Sequence, residues 1–174
     1  MRGIIQFSAF DQGEEEEGLV VKELAIVNVD LSSCQSWIFK NPFPITEMSL
    51  GLRFSNEYLS RHVFGLDWNH GDIPYQELKS IVIKYTEHIG SLYTHGRRRQ
   101  KFLETILERT VNNLEDLQCP KSSELSFPIR TCAHYLHQFG KYRCELKDAW
   151  QYANYLNYFD LSQYILTKPE HHVD

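Results

Sequence analysis

The sequence predicts an α/β layer fold built on a mixed sheet, and three observations predict it. Three strand-like apolar segments with short links come first, the pattern of an antiparallel meander. After Pro44 the spacing of apolar residues becomes helical and is broken only by short strands. The last clear element is again helical, so helices alternate with strands through the second half and have a sheet to cover.

Gly3 to Phe10 reads as the first strand and Leu19 to Val29 as the second. The second alternates little and is rich in Val, Ile and Leu, as a strand buried on both faces is. Between them, Glu14-Glu15-Glu16-Glu17 beside Gly13 and Gly18 reads as a solvated hairpin loop. Ser36 to Lys40 is the third strand, ended by Asn41-Pro42-Phe43-Pro44. Asn56 to His62 reads as helical, and Asn69-His70-Gly71-Asp72 as a turn. Pro74 opens a helix that carries Leu78, Ile81, Val82 and Tyr85 at helical spacing. Ser91 to Thr94 is a short strand, followed by a helix holding Phe102, Leu103, Ile106 and Leu107; Val111 to Leu114 is a fifth strand. A loop with Cys119, Pro120, Pro128 and Cys132 leads to a last helix from Glu145 to Tyr158. One domain is expected over residues 1–166, with 167–174 as a frayed tail.

The chain has 174 residues, enough for one domain with a real core, and its 42% hydrophobic and 24% charged composition is that of a folded protein. The formal charge of -5 gives no general attraction to nucleic acid, so any such site must be a local patch. The opening Met1 to Phe7 reads as a strand and not as a signal peptide, and no apolar run approaches the about 20 residues that span a bilayer. The expected setting is intracellular, nucleus or cytoplasm, with no membrane partner. Four cysteines without a secretory signal point to free thiols or metal ligation. Cys34 is isolated and reads as a buried or strand residue, whereas Cys119, Cys132 and Cys144 lie in one stretch with His134 and His137. The basic run Arg97-Arg98-Arg99-Gln100-Lys101 opens a helix, where backbone N–H groups and the dipole favour a phosphate, and Arg143 adds a cation. The many Tyr and Phe residues fall mostly at core spacings, so no base-stacking platform is read.

Arg143-Cys144-Glu145-Leu146-Lys147-Asp148-Ala149 resembles the last motif of the DEDD-type 3′–5′ exonucleases, in which a His precedes a metal-binding Asp by five residues. The resemblance spans nearly the whole chain: Leu19 to Asp30 is similar to the family's second strand, Trp37 to Ile45 to its third, Phe64-Gly65-Leu66 to its H-G-I element, and Tyr93 to Leu103 to its third-acid segment. It implies a ribonuclease-H-like fold with three antiparallel strands and then two parallel ones. Active members hold two divalent ions with four carboxylates. Here the first strand reads Ile4-Ile5-Gln6-Phe7-Ser8 without an acid, Arg99 stands at the third acid position, and Arg143 stands at the general-base position. Asp148 is the only motif acid left, so the resemblance implies no catalytic set.

Within that superfamily the pattern is similar to the Maelstrom domain, whose members largely lack the exonuclease acids and carry a Glu, Cys, His, Cys zinc site. The resemblance implies a structural zinc on Glu23, Cys132, His134 or His137, and Cys144, with Cys119 in reserve. The expected function is a catalytically degenerate binding module for single-stranded RNA or a regulatory protein in nucleic-acid regulation, with piRNA-linked transposon silencing as the implied setting. Arg97, Arg98, Arg99, Lys101 and Arg143 are the expected nucleic-acid contacts. Two alternatives stay open: an active 3′–5′ exonuclease or RNA nuclease, and a protein-interaction scaffold that touches no nucleic acid.

Overall fold

The computed structural model describes residues 1–13, 18–128 and 142–167. The glutamate run at 14–17, Cys132, His134, His137 and the tail 168–174 lie outside the described residues. Among the described residues five strands form one sheet: β1 (Arg2–Asp11), β2 (Leu19–Asn28), β3 (Cys34–Ile38), β4 (Ser91–Thr94) and β5 (Asn112–Asn113). Their order is β3-β2-β1-β4-β5. β1 pairs antiparallel with β2 and β2 with β3, whereas β4 runs parallel to β1 and β5 parallel to β4. This is the expected ribonuclease-H-like topology. The β1–β2 register slips by a bulge between Ser8 and Ala9, next to the pairing of Ser8 with Glu23.

Four α-helices of the described residues accompany the sheet: α1 (Leu50–Leu59), α2 (Leu78–Thr86), α3 (Arg97–Leu107) and α4 (Glu145–Thr167). Every residue of β2 is buried, which explains why its apolar residues do not alternate: the sheet is covered on both faces. One face packs Ile5, Phe7, Leu24 and Leu92 against Leu78, Val82 and Leu103 of α2 and α3. The other packs Ile4, Ala25 and Val27 against Ala149, Tyr152, Ala153 and Leu156, one stripe of α4 at helical spacing. Truncating a side chain such as Leu156 to Ala costs about 2–5 kcal/mol in such a core. A third cluster around Phe10, Val20, Phe64 and Trp68 seats α1 beyond the end of β1.

Three expectations are corrected. α1 begins at Leu50 rather than Asn56, where the Ser49 side chain accepts the Leu52 N–H at the first turn. It then widens into a π-helical turn over Ser60–Phe64 and stops at Gly65, whose φ of 63° is left-handed and whose missing Cβ leaves room for the Tyr142 ring. The fifth strand is only Asn112–Asn113, because Leu114 already starts a short 3₁₀ turn and the Asn113 side chain accepts the Glu115 N–H. α4 continues past Tyr158 to Thr167.

Lys22 is a charged residue inside this fold. Its Nζ donates to the carbonyl oxygens of Phe39 (3.0 Å), Trp68 (2.9 Å) and His70, pinning the 68–70 loop to β2. Burial pulls its pKa down to about 8, against the attraction of Asp67. Among the described residues no helix is long and apolar enough to cross a membrane.

Candidate functional site

A cleft of about 770 Å³ opens where β4 passes into α3 and where α4 begins, and His95, Arg99, Lys121, Arg143, Asp148 and Tyr152 are among its lining residues. The parallel strands set its position, since β1 and β4 both point their C-terminal ends toward it. Gly96 makes the turn into α3 with a φ of 113° that side-chain-bearing residues rarely adopt. Its N–H donates to Asn113 Oδ1 at 3.1 Å, which ties α3 to β5.

On β1, the strand on which the resemblance expects two acids, Gln6 is a buried amide. Its Oε1 accepts the Thr94 hydroxyl at 2.9 Å and the His95 N–H at 3.1 Å, so the amide stitches β1 to the end of β4. The buried Ser8 Oγ has no hydrogen-bond partner among the described residues. Arg99 turns inward from the first turn of α3: its Nε donates to Phe7 O at 2.7 Å and Nη1 to His95 O at 3.2 Å. Arg99, expected as a nucleic-acid contact, is thus half-buried at the cleft wall and braces β1 and the end of β4.

Arg143 precedes α4 and is held by its own N–H, which donates to Val63 O at 2.9 Å. Its Nε lies 3.3 Å from Asp148 Oδ2 and 2.9 Å from Glu145 Oε1. Of the two, only the contact to Asp148 is a well-aimed hydrogen bond; both Glu145 oxygens are buried without one among the described residues, so Arg143 and Glu145 form a charge contact. Burial opposes the Arg143 charge, but the Glu145 and Asp148 carboxylates outweigh it and raise its pKa. Burial raises the pKa of Glu145, opposed by Arg143 and Arg99.

Glu23 reaches the same place from β2. Its Oε2 accepts the Glu145 N–H at 3.4 Å, at the start of α4, and its Oε1 lies 4.0 Å from Cys144 Sγ. Burial, then repulsion from Glu145, pushes the Glu23 carboxyl up to about 8. Three carboxyls, Glu23, Glu145 and Asp148, thus face two guanidiniums, Arg99 and Arg143. Such a buried excess of acid is balanced by a proton or by a further cation.

Of the expected zinc set, the structure brings Glu23 and Cys144 together. A tetrahedral zinc with ligands at about 2.3 Å and 2.0 Å would place sulfur and oxygen about 3.5 Å apart, so this pair fits one ion. Cys132, His134 and His137 lie outside the described residues, and among the described residues no cluster of three or more His, Cys, Asp or Glu is arranged for a metal. Cys119, the reserve ligand, belongs to the core between sheet and α4; burial pushes its thiol up to about 12. Cys34 opens β3 and packs against the same core, as expected.

Arg97 and Arg98 are exposed beside the cleft and already paired, with Asp116 at 3.1 Å and Asp11 at 3.0 Å; Lys101 is exposed farther along α3. Sequence reasoning passed over Glu145, because an acid in the first turn of a helix reads as a dipole partner. Its spacing of three from Asp148, on one helix face, was the available signal. No protein-family model matches this sequence, and no curated protein matches it.

Proposed function

We propose that this chain is a catalytically degenerate exonuclease-like domain that binds single-stranded RNA without cutting it. The observation that carries the reading is Arg143, whose guanidinium lies against Asp148 and Glu145 at the cleft where the exonuclease resemblance puts the metals. A cation built into the protein satisfies the remaining carboxylate and repels a divalent ion from it. Gln6 and Ser8 on β1 supply no charge in exchange. Lys121 and Lys147 at the cleft, with Arg97 and Arg98 on its flank, offer positive charge to phosphates. Exposed ion pairs are worth only about 0–1 kcal/mol, so a phosphate competes readily for those arginines.

The same proposal includes a structural zinc on Glu23, Cys144, Cys132 and one of His134 or His137. The support is the fit of Glu23 to Cys144 and the buried excess of acid around them. When bound, the ion would supply folding free energy and cross-link the segment before α4 to the sheet. The resemblance to Maelstrom domains suggests a role in RNA-based silencing of mobile elements.

One observation favours a second reading, a protein-interaction scaffold: Arg97 and Arg98 already have acidic partners within the chain. The enzyme alternative is tested by incubating purified protein with end-labelled single-stranded RNA and DNA in Mg²⁺ or Mn²⁺. Bound, full-length RNA is the expected result. Trimming from the 3′ end that disappears in Asp148→Ala would overturn the proposal.

A further inference from the structure

His95 follows β4 directly, and its ring is fixed from two sides. It stacks on Tyr152 of α4, with centroids 4.9 Å apart and an interplanar angle of 6°. Its Nε2 lies 3.1 Å from Cys119 O. A carbonyl oxygen only accepts, so Nε2 carries a proton and Nδ1 is the polar atom left over. The His95 side chain is 9% exposed, yet it lines the cleft, and Nδ1 has no hydrogen-bond partner among the described residues. Glu115 Oε1 lies 3.9 Å from it, beyond a direct hydrogen bond and near enough for one atom to bridge the two.

Glu115 is held to face this ring. Its N–H donates to Asn113 Oδ1 and its Oε2 accepts from Asn113 Nδ2, each at 3.1 Å. Asn113 Oδ1 also takes the Gly96 N–H, so one amide fixes the carboxylate relative to the residue after His95. Glu115 is also out of place in sign. Asp116 is compensated by Arg97 and Asp148 by Arg143, whereas the one ion-pair contact of Glu115 among the described residues is to His95. A carboxylate on the cleft wall repels the phosphates that Lys121 and Lys147 attract, unless the ligand donates a hydrogen bond to it.

We infer that His95 and Glu115 together read a ribose hydroxyl, and so give the cleft a preference for RNA over DNA. The inference rests on the RNA-binding reading above and names the two residues that discriminate. A hydroxyl fits between them in either state of the ring. With Nδ1 bare, both residues accept and need a donor; with a proton on Nδ1, the hydroxyl accepts from the ring and donates to Glu115. In both states its O–H can donate to a charged acceptor, which makes the stronger kind of hydrogen bond. The 2′-hydroxyl is what tells RNA from DNA at a given site, and deoxyribose leaves the carboxylate without its donor. A sugar hydroxyl in a nucleic acid is flanked by phosphates, and Lys121 and Lys147 line the same cleft for them. Its volume of about 770 Å³ has room for a nucleotide.

The test is fluorescence anisotropy of the full chain with labelled strands of about 12 nucleotides: oligouridine, its deoxyuridine counterpart, and its 2′-fluoro counterpart, which keeps an RNA-like pucker without the O–H. The parent should bind the RNA about tenfold more tightly than either other strand. In Glu115→Gln the RNA affinity should fall to that of DNA, while DNA affinity should not fall, because a negative charge has left the cleft. Glu115→Asp, which keeps the charge and withdraws the acceptor, should lose the preference as well. His95 is left in place, since it is buried between Tyr152 and Cys119. A DNA strand with one internal ribose reports the 2′-hydroxyl alone, and one with a ribose only at its 3′ end reports the terminal pair; one of the two should recover the RNA affinity. Equal affinity of the parent for RNA and DNA would overturn the inference and leave the RNA-binding reading standing. So would an RNA preference that survives in Glu115→Gln, a 2′-fluoro strand bound like RNA, or recovery with neither chimera. A fall of RNA and DNA affinity by the same factor in Glu115→Gln would make His95 and Glu115 an internal charge pair and overturn it too. A parent that binds none of the strands would overturn the RNA-binding reading itself, and the inference with it.

Discussion

The Nε of Arg143 lies 3.3 Å from Oδ2 of Asp148, so the acid that the exonuclease resemblance singles out is held by a cation of the chain itself. The same guanidinium faces the buried carboxyl of Glu145 at 2.9 Å. Asp148 is thereby paired within the chain at the wall of the cleft. Four outcomes follow from this arrangement and from the packing around it.

Arg143→Met should destabilise the domain by about 3 kcal/mol, because it leaves buried carboxyls uncompensated. Adding Glu145→Gln should recover part of that loss, since it removes one of the charges left behind. Urea melts of the two single variants and the double variant check this. Strict additivity would mean that the two side chains do not interact.

Lys22→Met should cost about 1–3 kcal/mol, because the carbonyls of Phe39, Trp68 and His70 lose their shared donor. The pH dependence has a definite sign. The folded pKa of about 8 lies below the ordinary lysine value of 10.5, so the unfolded chain binds more protons between them. Parent stability should rise as pH goes from 8 to 10.5, and Lys22→Met should flatten that rise in chemical melts across the window.

How much was legible in the sequence depends on how each residue's role departs from its type. β1, β2 and β3 were readable because long apolar runs between turn residues have few alternatives. The start of α1 was not, because Leu50, Phe54 and Tyr58 on its outer side blur the one-faced pattern that marks a helix, while polar Asn56 occupies the core side. At the site, Arg99, Arg143, Asp148, Glu23 and Cys144 were named from sequence and converge in space. The inward turn of Arg99 was not legible, since an arginine at a helix start usually faces water. Nor was the burial of Glu145, which depends on Glu23 approaching from a distant strand.

A zinc on the Glu23–Cys144 corner predicts about one zinc per chain in protein purified without a histidine tag. Cys144→Ser and Cys132→Ser should each abolish uptake, and Cys34→Ser should not. A chelator should lower the melting temperature of the parent and leave the Cys144→Ser variant unchanged. Elemental analysis with thermal melts reads both. Metal-free protein that is folded and indifferent to chelator would show these cysteines to be core thiols.

The central claim, that the domain binds RNA beside the cleft, is tested most directly by the salt dependence of single-stranded RNA affinity in the parent and in Arg97→Gln/Arg98→Gln. Glutamine is the better replacement here, because a glutamate would be repelled by Asp116 and Asp11. Arg99 is left intact because it braces Phe7 and His95. Loss of two phosphate contacts should weaken binding at low salt about tenfold or more and reduce the slope of log affinity against log salt by about 1.4. A parent that does not bind RNA, or a variant with unchanged affinity and slope, would contradict the account and leave the protein-interaction scaffold in its place.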